Sequence, residues 1–436
     1  MSNNNLNTET TNKIVQANKK NTLLFFKPWK FVLILFLILS SSLAYWWFTN
    51  DNLIKSYSDK VYPGAYILDK DLSGLNKDDL HNTIASLIED ISNKKVNVTA
   101  KEQTFEVLYK DLEATINYDD LENQIMSFGK DEDFFTKLSF LKKPENRKYE
   151  FEVLFNEENL STFISSISNA INVEPVNASA DISNNSINIS NDSTGFKLNS
   201  DELFDNIKSQ IKNMTAPNII DVTGNVEVVE ANITASALSN VNTKVSSFST
   251  KYSVGPSGTN LQVATKNIDN VIVMPGETFS TEKAIGPTTI ENGFVAANTY
   301  VGGKVVPGVG GGVCQVSSTL YNSILRAGIL PSERLNHMMT VSYVPMGLDA
   351  TLADDLIDLK FVNEFDFPII LNTYASNGNL TIELWSNDTV TNGITYEPIA
   401  IPVGPLSAET YLKGYNSNGE LVIDKFIDKS TYQPFN

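Results

Sequence analysis

Apolar side chains follow three patterns along this chain. From Phe31 to Phe48 the sequence FVLILFLILSSSLAYWWF carries no charge. Its eighteen residues sit near the lower limit for a membrane-spanning helix. From about 50 to 237, apolar residues recur every three or four positions between short alternating runs. After about 240, alternation and glycine-containing turns take over, which predicts strands and hairpins.

The middle region reads as two related α+β units. Leu75-Asn76-Lys77-Asp78-Asp79-Leu80 is followed by Ile84 and Ile88, and Leu198-Asn199-Ser200-Asp201-Glu202-Leu203 by Ile207 and Ile211. Each predicts a helix with one apolar face, an asparagine positioned to cap it and acids in its first turn. Leu160, Phe163, Ile164 and Ile167 predict another helix. Val96-Asn97-Val98 and Ser186 to Ile189 predict strands. His81 falls on the first helix and reads as a boundary residue.

Residues 246–260 are rich in Ser, Thr and Gly and read as a linker. Strands are then expected at Val271–Val273, Val341–Val344 and Leu356–Val362. Hairpins are expected around Gly302-Gly303, Asn377-Gly378 and Asn418-Gly419. One helix stands out, from Gln315 to about Ala327, with Gly328 just past its end. The expected architecture is α+β: a membrane anchor, two small α+β repeat units, and a β-rich α+β catalytic domain with one central helix after the cysteine. The corresponding segments are a cytoplasmic tail (1–30), the anchor (31–48), two repeats (50–150 and 151–237) and the catalytic domain (240–436).

Charge orients this layout. Five lysines and one glutamate precede Trp46, a bias that places the N-terminus in the cytoplasm and the rest outside. Tyr45, Trp46, Trp47 and Phe48 suit the headgroup region. The competing reading is a signal peptide cleaved after Ser42-Leu43-Ala44, which the bulky aromatics that follow argue against. The whole chain carries −18, leaving about −22 beyond the anchor. Such acidity argues against a nucleic-acid partner, because phosphate binding needs clustered Lys and Arg.

The one cysteine, Cys314, cannot form an internal disulfide. It lies in GVGGGVCQVSSTLYNS, before the predicted central helix. Unpaired amides and the positive end of the helix would lower its pKa and make it nucleophilic. The glycines at 308, 310, 311 and 312 leave room for a substrate backbone. Amides of Gly311, Gly312 and Val313, with that of Cys314, are candidates to stabilise an oxyanion. A buried, inert thiol is the competing reading. His337, past the helix, is the candidate proton shuttle. Asp349 is the favoured residue to orient its ring, with Glu333, Asn336, Asp355 and Asp358 as competitors. One Cys and one nearby His fall short of a zinc site, and neither a phosphate loop nor a dinucleotide fingerprint occurs. No metal or cofactor is expected.

Five ordered blocks carry a family resemblance: VMPGETFS (273–280), IGPTTIENGF (285–294), YVGGKVVPGVGGGVCQVSSTLYN (300–322), NHMMTVSYVPMGLDAT (336–351) and DLKFVNEFDFPIIL (358–371). They resemble the VanW-like domain, over roughly 240–436. The segment from about 50 to 237 resembles the peptidoglycan-binding repeats that often precede it. The resemblance implies a cell-wall L,D-transpeptidase with Cys314 as nucleophile and His337 as the matching histidine, acting on stem tetrapeptides and glycan strands. A second histidine common in relatives is Leu335 here, and a common arginine is Leu348. Lys304 and Arg334 become candidates for binding stem carboxylates. Carboxypeptidase or exchange activity through the same thioester, and a non-enzymatic wall-binding role, are the alternatives.

Overall fold

The computed structural model describes residues 28–301, 304–353 and 355–434; the side chains of 28, 300, 301, 304 and 305 lie outside that description. The expected tail is therefore largely outside the described residues, as are the Gly302-Gly303 turn and the Lys304 side chain. Pro28–Lys55 is one helix, longer than the uncharged stretch and apolar enough to cross a membrane.

The chain divides into two compact units, 1–167 with 200–224 and 168–199 with 225–436. The first contains the helix Lys77–Ser92, which buries Leu80, Ile84, Leu87 and Ile91 on the expected face. Its Asn76 side chain accepts from the Asp79 amide at 2.8 Å, the predicted cap. The helix Ser200–Ile211 likewise buries Leu203, Ile207 and Ile211. The two motif-bearing helices belong to this one unit, so the boundary expected at 150 does not separate them. The reason is a long-range pairing: strand Ile219–Thr223 lies parallel to Lys95–Ala100, which in turn pairs with Gln103–Leu108. Local periodicity carries no information about such a partner.

The second unit is built on an antiparallel sheet of four strands, in the order Thr243–Lys251, Asn379–Ser386, Ile369–Ser376 and Ile272–Val273. The central helix, Cys314–Arg326, is buried at every position from Gln315 to Leu325. Val316, Leu320, Tyr321, Ile324 and Leu325 enter a core shared with Ile369, Leu371, Ile382 and Leu384 of the sheet. Its buried Ser, Thr, Gln and Asn side chains survive burial because each finds a partner, whereas the buried Tyr321 hydroxyl has none among the described residues. Thr319 bonds Thr250 at 2.8 Å, Gln315 bonds Thr250 and Lys251, and Ser323 bonds the Ile382 carbonyl.

Both hairpins with described turns form as expected. Asn377 and Gly378 adopt positive φ angles of 51° and 76°, which a tight two-residue turn requires. Ser407–Tyr415 and Leu421–Thr431 pair around Asn418-Gly419, with Thr395–Gly404 as the third strand.

Four expectations need correction, the first being that only Lys360–Val362 of the strand expected at Leu356–Val362 forms. Residues 246–260 are not a linker: they hold most of a sheet strand and the start of a helix, Pro256–Asn267. Small polar residues suit that strand because Ser246, Ser249 and Thr250 each bond a hydroxyl on a neighbouring element. Residues 341–344 are not a strand but irregular backbone, and they contribute to the cavity described below. Finally, the central helix begins at Cys314 itself, not after it.

Candidate active site

The sequence GVGGGVC folds into a tight turn that leads directly into the central helix. Gly311 is dictated by close approach. A Cβ there would lie 2.4 Å from the Asn298 carbonyl oxygen, while the Gly311 carbonyl accepts from the Asn260 side chain at 3.0 Å. Gly312 has φ of +102°, a conformation that side chains resist. Gly311→Ala is therefore expected to destabilise the chain by about 1–3 kcal/mol, seen as a lowered thermal midpoint. An unchanged midpoint would show that the turn is looser than this packing.

Among the described residues, the amides of Gly311, Gly312 and Cys314 make no hydrogen bond, and no side chain caps the helix at Val313. The Val313 amide, expected among the oxyanion donors, instead donates to the Gly310 carbonyl at 3.2 Å. The available donors are thus Gly311, Gly312 and Cys314, all lining one cavity of about 690 Å³. Cys314 is half-buried in its wall, and His337 lines the same cavity.

The segment after Asp349 wraps around the start of the helix. Ser317 and Ser318 donate to the Ala350 carbonyl at 2.6 and 3.1 Å, and the Ala350 amide donates back to Ser318 at 3.0 Å. Asn322 donates to the Leu348 carbonyl at 2.7 Å. These bonds give the SSTLYN stretch its local purpose. They bring Thr351 and Leu352 to the sulfur, where the Leu352 amide donates to Sγ at 3.4 Å and Thr351 Oγ1 lies 3.7 Å away.

Asp349 is buried, and its carboxylate is saturated. Oδ2 accepts from the His337 backbone amide at 2.7 Å and lies 2.7 Å from His337 Nδ1. Oδ1 accepts from the Tyr432 hydroxyl and faces Arg334 Nη2 at 3.4 Å. With Nδ1 engaged, Nε2 is the nitrogen left for the sulfur. The competitors are occupied elsewhere: Glu333 pairs with Lys360, Asn336 bonds the His337 and Thr431 carbonyls, and Asp358 accepts from Ser280. Asp355 is exposed.

Arg334 does not present itself to a ligand, contrary to expectation. Its side chain is 3% exposed and is held by the Asp349 carbonyl (2.8 Å), Asp428 (2.7 Å) and Ser430 (2.9 Å). The planar fork of a guanidinium satisfies several such acceptors at once, so here it braces Asp349. Leu335 is half exposed, whereas Leu348 is buried in the core.

The electrostatics follow from this wiring. Burial pushes the Cys314 thiol up, but the hydrogen bond and charge of His337, with the Leu352 amide and Thr351, outweigh it and hold the thiol below its ordinary value. Burial would lower His337. Its bond to Asp349 and its interaction with the sulfur reverse this and raise it to about 9. Asp349, which burial alone would raise, is held down chiefly by His337 and Tyr432. Both shifts act in the direction of a thiolate beside an imidazolium.

Tyr432 was not anticipated. It lies 83 residues beyond Asp349, and nothing local distinguishes it from other tyrosines. It is 4% exposed and also accepts from the Gly347 amide at 2.6 Å. Burial, then the charge of Asp349, push its phenol pKa up, so it remains a donor. Tyr432→Phe would leave a buried carboxylate oxygen and a buried amide short of a partner, at a cost of about 1–3 kcal/mol. Chemical denaturation should report that loss, and a change near zero would mean that the hydroxyl is dispensable.

Residues 257–385 match the family described as "VanW like protein". They are a VanW-like domain. The match holds Cys314, His337, Arg334 and Asp349, whereas Asp428, Ser430 and Tyr432 lie past its end. Residues 105–219 match a second family, "Putative peptidoglycan binding domain". The chain is 39% identical over 141 residues to the uncharacterized protein YoaR of Bacillus subtilis, covering 32% of this chain and 46% of the relative. It is 30% identical over 112 residues to the vancomycin B-type resistance protein VanW of Enterococcus faecalis, covering 24% and 41%. The chain thus spans less than half the length of these relatives. No solved structure matches it.

Proposed function

We propose that the VanW-like domain is a cysteine-dependent L,D-transpeptidase that forms 3-3 cross-links in peptidoglycan. The observation that carries this reading is that Cys314 and His337 line one cavity, with Asp349 bonded to the imidazole from behind, beside the unpaired amides of the glycine turn. The thiolate attacks the carbonyl that joins the third residue of a stem tetrapeptide to its terminal D-alanine. A carbon–sulfur bond forms, and the amides stabilise the developing oxyanion. The carbon–nitrogen bond then breaks as His337 delivers its proton to the departing amine. A side-chain amine of a neighbouring stem attacks the thioester and passes its proton to His337; a carbon–nitrogen bond forms, the carbon–sulfur bond breaks, and the thiolate and imidazolium are restored. Asp349 keeps the ring oriented in both halves, braced by Arg334 and Tyr432.

The helix Pro28–Lys55 would hold the enzyme on the outer membrane face, and residues 105–219 would engage the glycan. The second family match supports peptidoglycan as the partner and an extracytoplasmic location. The test is incubation with disaccharide-tetrapeptides, followed by mass spectrometry. Release of D-alanine together with a cross-linked dimer is the expected outcome. Release with only a shortened monomer would instead identify a carboxypeptidase, and incorporation of an added amino acid an exchange enzyme. No release at all would favour a wall-binding protein.

A further inference from the structure

A second cavity of about 390 Å³ adjoins the one at Cys314. The two share His337, Val341, Thr351, Leu352 and Ala353, so the segment touching the sulfur forms a common wall. Beyond that wall the second cavity is lined by the apolar Leu335, Met338, Met339 and Ile357 and by the polar Asn336, Thr431 and Gln433. Among its described lining residues only His337 ionises, whereas the Cys314 cavity also carries Glu282.

The position of the imidazole gives this cavity a chemical role. The amine that leaves and the amine that enters must each exchange a proton with His337, and by microscopic reversibility they use the same path. The glycine turn lines the Cys314 cavity and not the second one. His337 lines both cavities, so an amine held in the second one lies beside the imidazole that serves the sulfur. We propose that this cavity is the acyl-acceptor subsite, and that it takes a primary amine carried on an unbranched aliphatic side chain. Methionine and leucine side chains adapt to a methylene chain. An ammonium ion would find no carboxylate among the described lining residues, and desolvation favours the neutral, nucleophilic amine.

The assignment rests on the thioester chemistry proposed above, and two measurements separate their fates. The first is binding of Nα-acetyl-lysine amide to the full chain carrying Cys314→Ala, in detergent micelles, followed by ligand-observed NMR. The second is the ratio of transfer to hydrolysis when the chain with its cysteine intact is given disaccharide-tetrapeptide and the same amine. Met338 is 49% exposed and Leu335 50% exposed, so Met338→Lys and Leu335→Lys place a cation in the cavity at positions that tolerate one. Each is expected to weaken probe binding and to lower the transfer ratio by at least fivefold. Donor processing with probe binding and transfer ratio unchanged in both variants would overturn the acceptor site alone. Probe binding that both variants weaken, in a chain that processes no donor, would overturn the thioester reading and leave the amine site standing.

Discussion

Replacing Cys314 by alanine is expected to abolish D-alanine release and dimer formation, lowering the rate by about 10³-fold or more. Nucleophile removal has costs of that order because no neighbouring group can form the covalent intermediate. In this site Thr351 Oγ1 lies 3.7 Å from the sulfur. A hydroxyl lacks the thiol's acidity and would not substitute for it at neutral pH. The substitution should leave the fold intact, since Cys314 lies at a cavity wall and the helix is held by Val316, Leu320, Tyr321 and their neighbours. Mass spectrometry of the products, with circular dichroism as the control for folding, checks both halves. Equal product from the folded alanine variant would remove Cys314 from the chemistry.

Asp349→Asn is expected to have the next largest effect, about 10²–10⁴-fold on turnover, with a diagnostic pH signature. In the native chain His337 stays protonated up to about pH 9, and its charge holds the thiol pKa down. The reactive ion pair therefore exists above the lowered thiol pKa and is lost as pH rises through about 9. Without the carboxylate, His337 deprotonates at lower pH, the thiol loses its stabilising charge, and burial pushes its pKa up. Alkylation of Cys314 by iodoacetamide should accordingly begin at higher pH in the variant. The same sign governs stability: a histidine raised in the folded state contributes fully below its unfolded pKa of about 6.5 and ceases to do so above about 9. An alkylation profile unchanged by Asp349→Asn would show that the carboxylate does not control the thiol.

What could be read in the chain follows from where its information is local. The helix Lys77–Ser92 was legible because its cap and apolar spacing lie within one stretch of sequence. The Asn377-Gly378 turn was legible because its backbone geometry is demanded by two residues. Cys314 stood out for the same reason, as a lone thiol behind glycines that packing requires at 311 and positive φ at 312. The Ser-rich strand Thr243–Lys251 was illegible: its hydroxyls are matched by Ser323, Thr319 and Thr381, residues far away in sequence. Arg334 misled for a related reason. A cation looks like a ligand for carboxylates until Asp349 and Asp428 are seen around it.

Sequence by itself therefore pointed to the apolar N-terminal helix, many of the secondary-structure elements, the VanW-like blocks and the candidate cysteine and histidine. Tertiary structure decided which acid serves the histidine, which cation and phenol brace that acid, and which amides remain open at the turn. The physical reason is range. Periodicity, caps and turns act over a few residues, whereas a buried carboxylate must be satisfied by whatever groups the folded chain brings within about 3 Å of it.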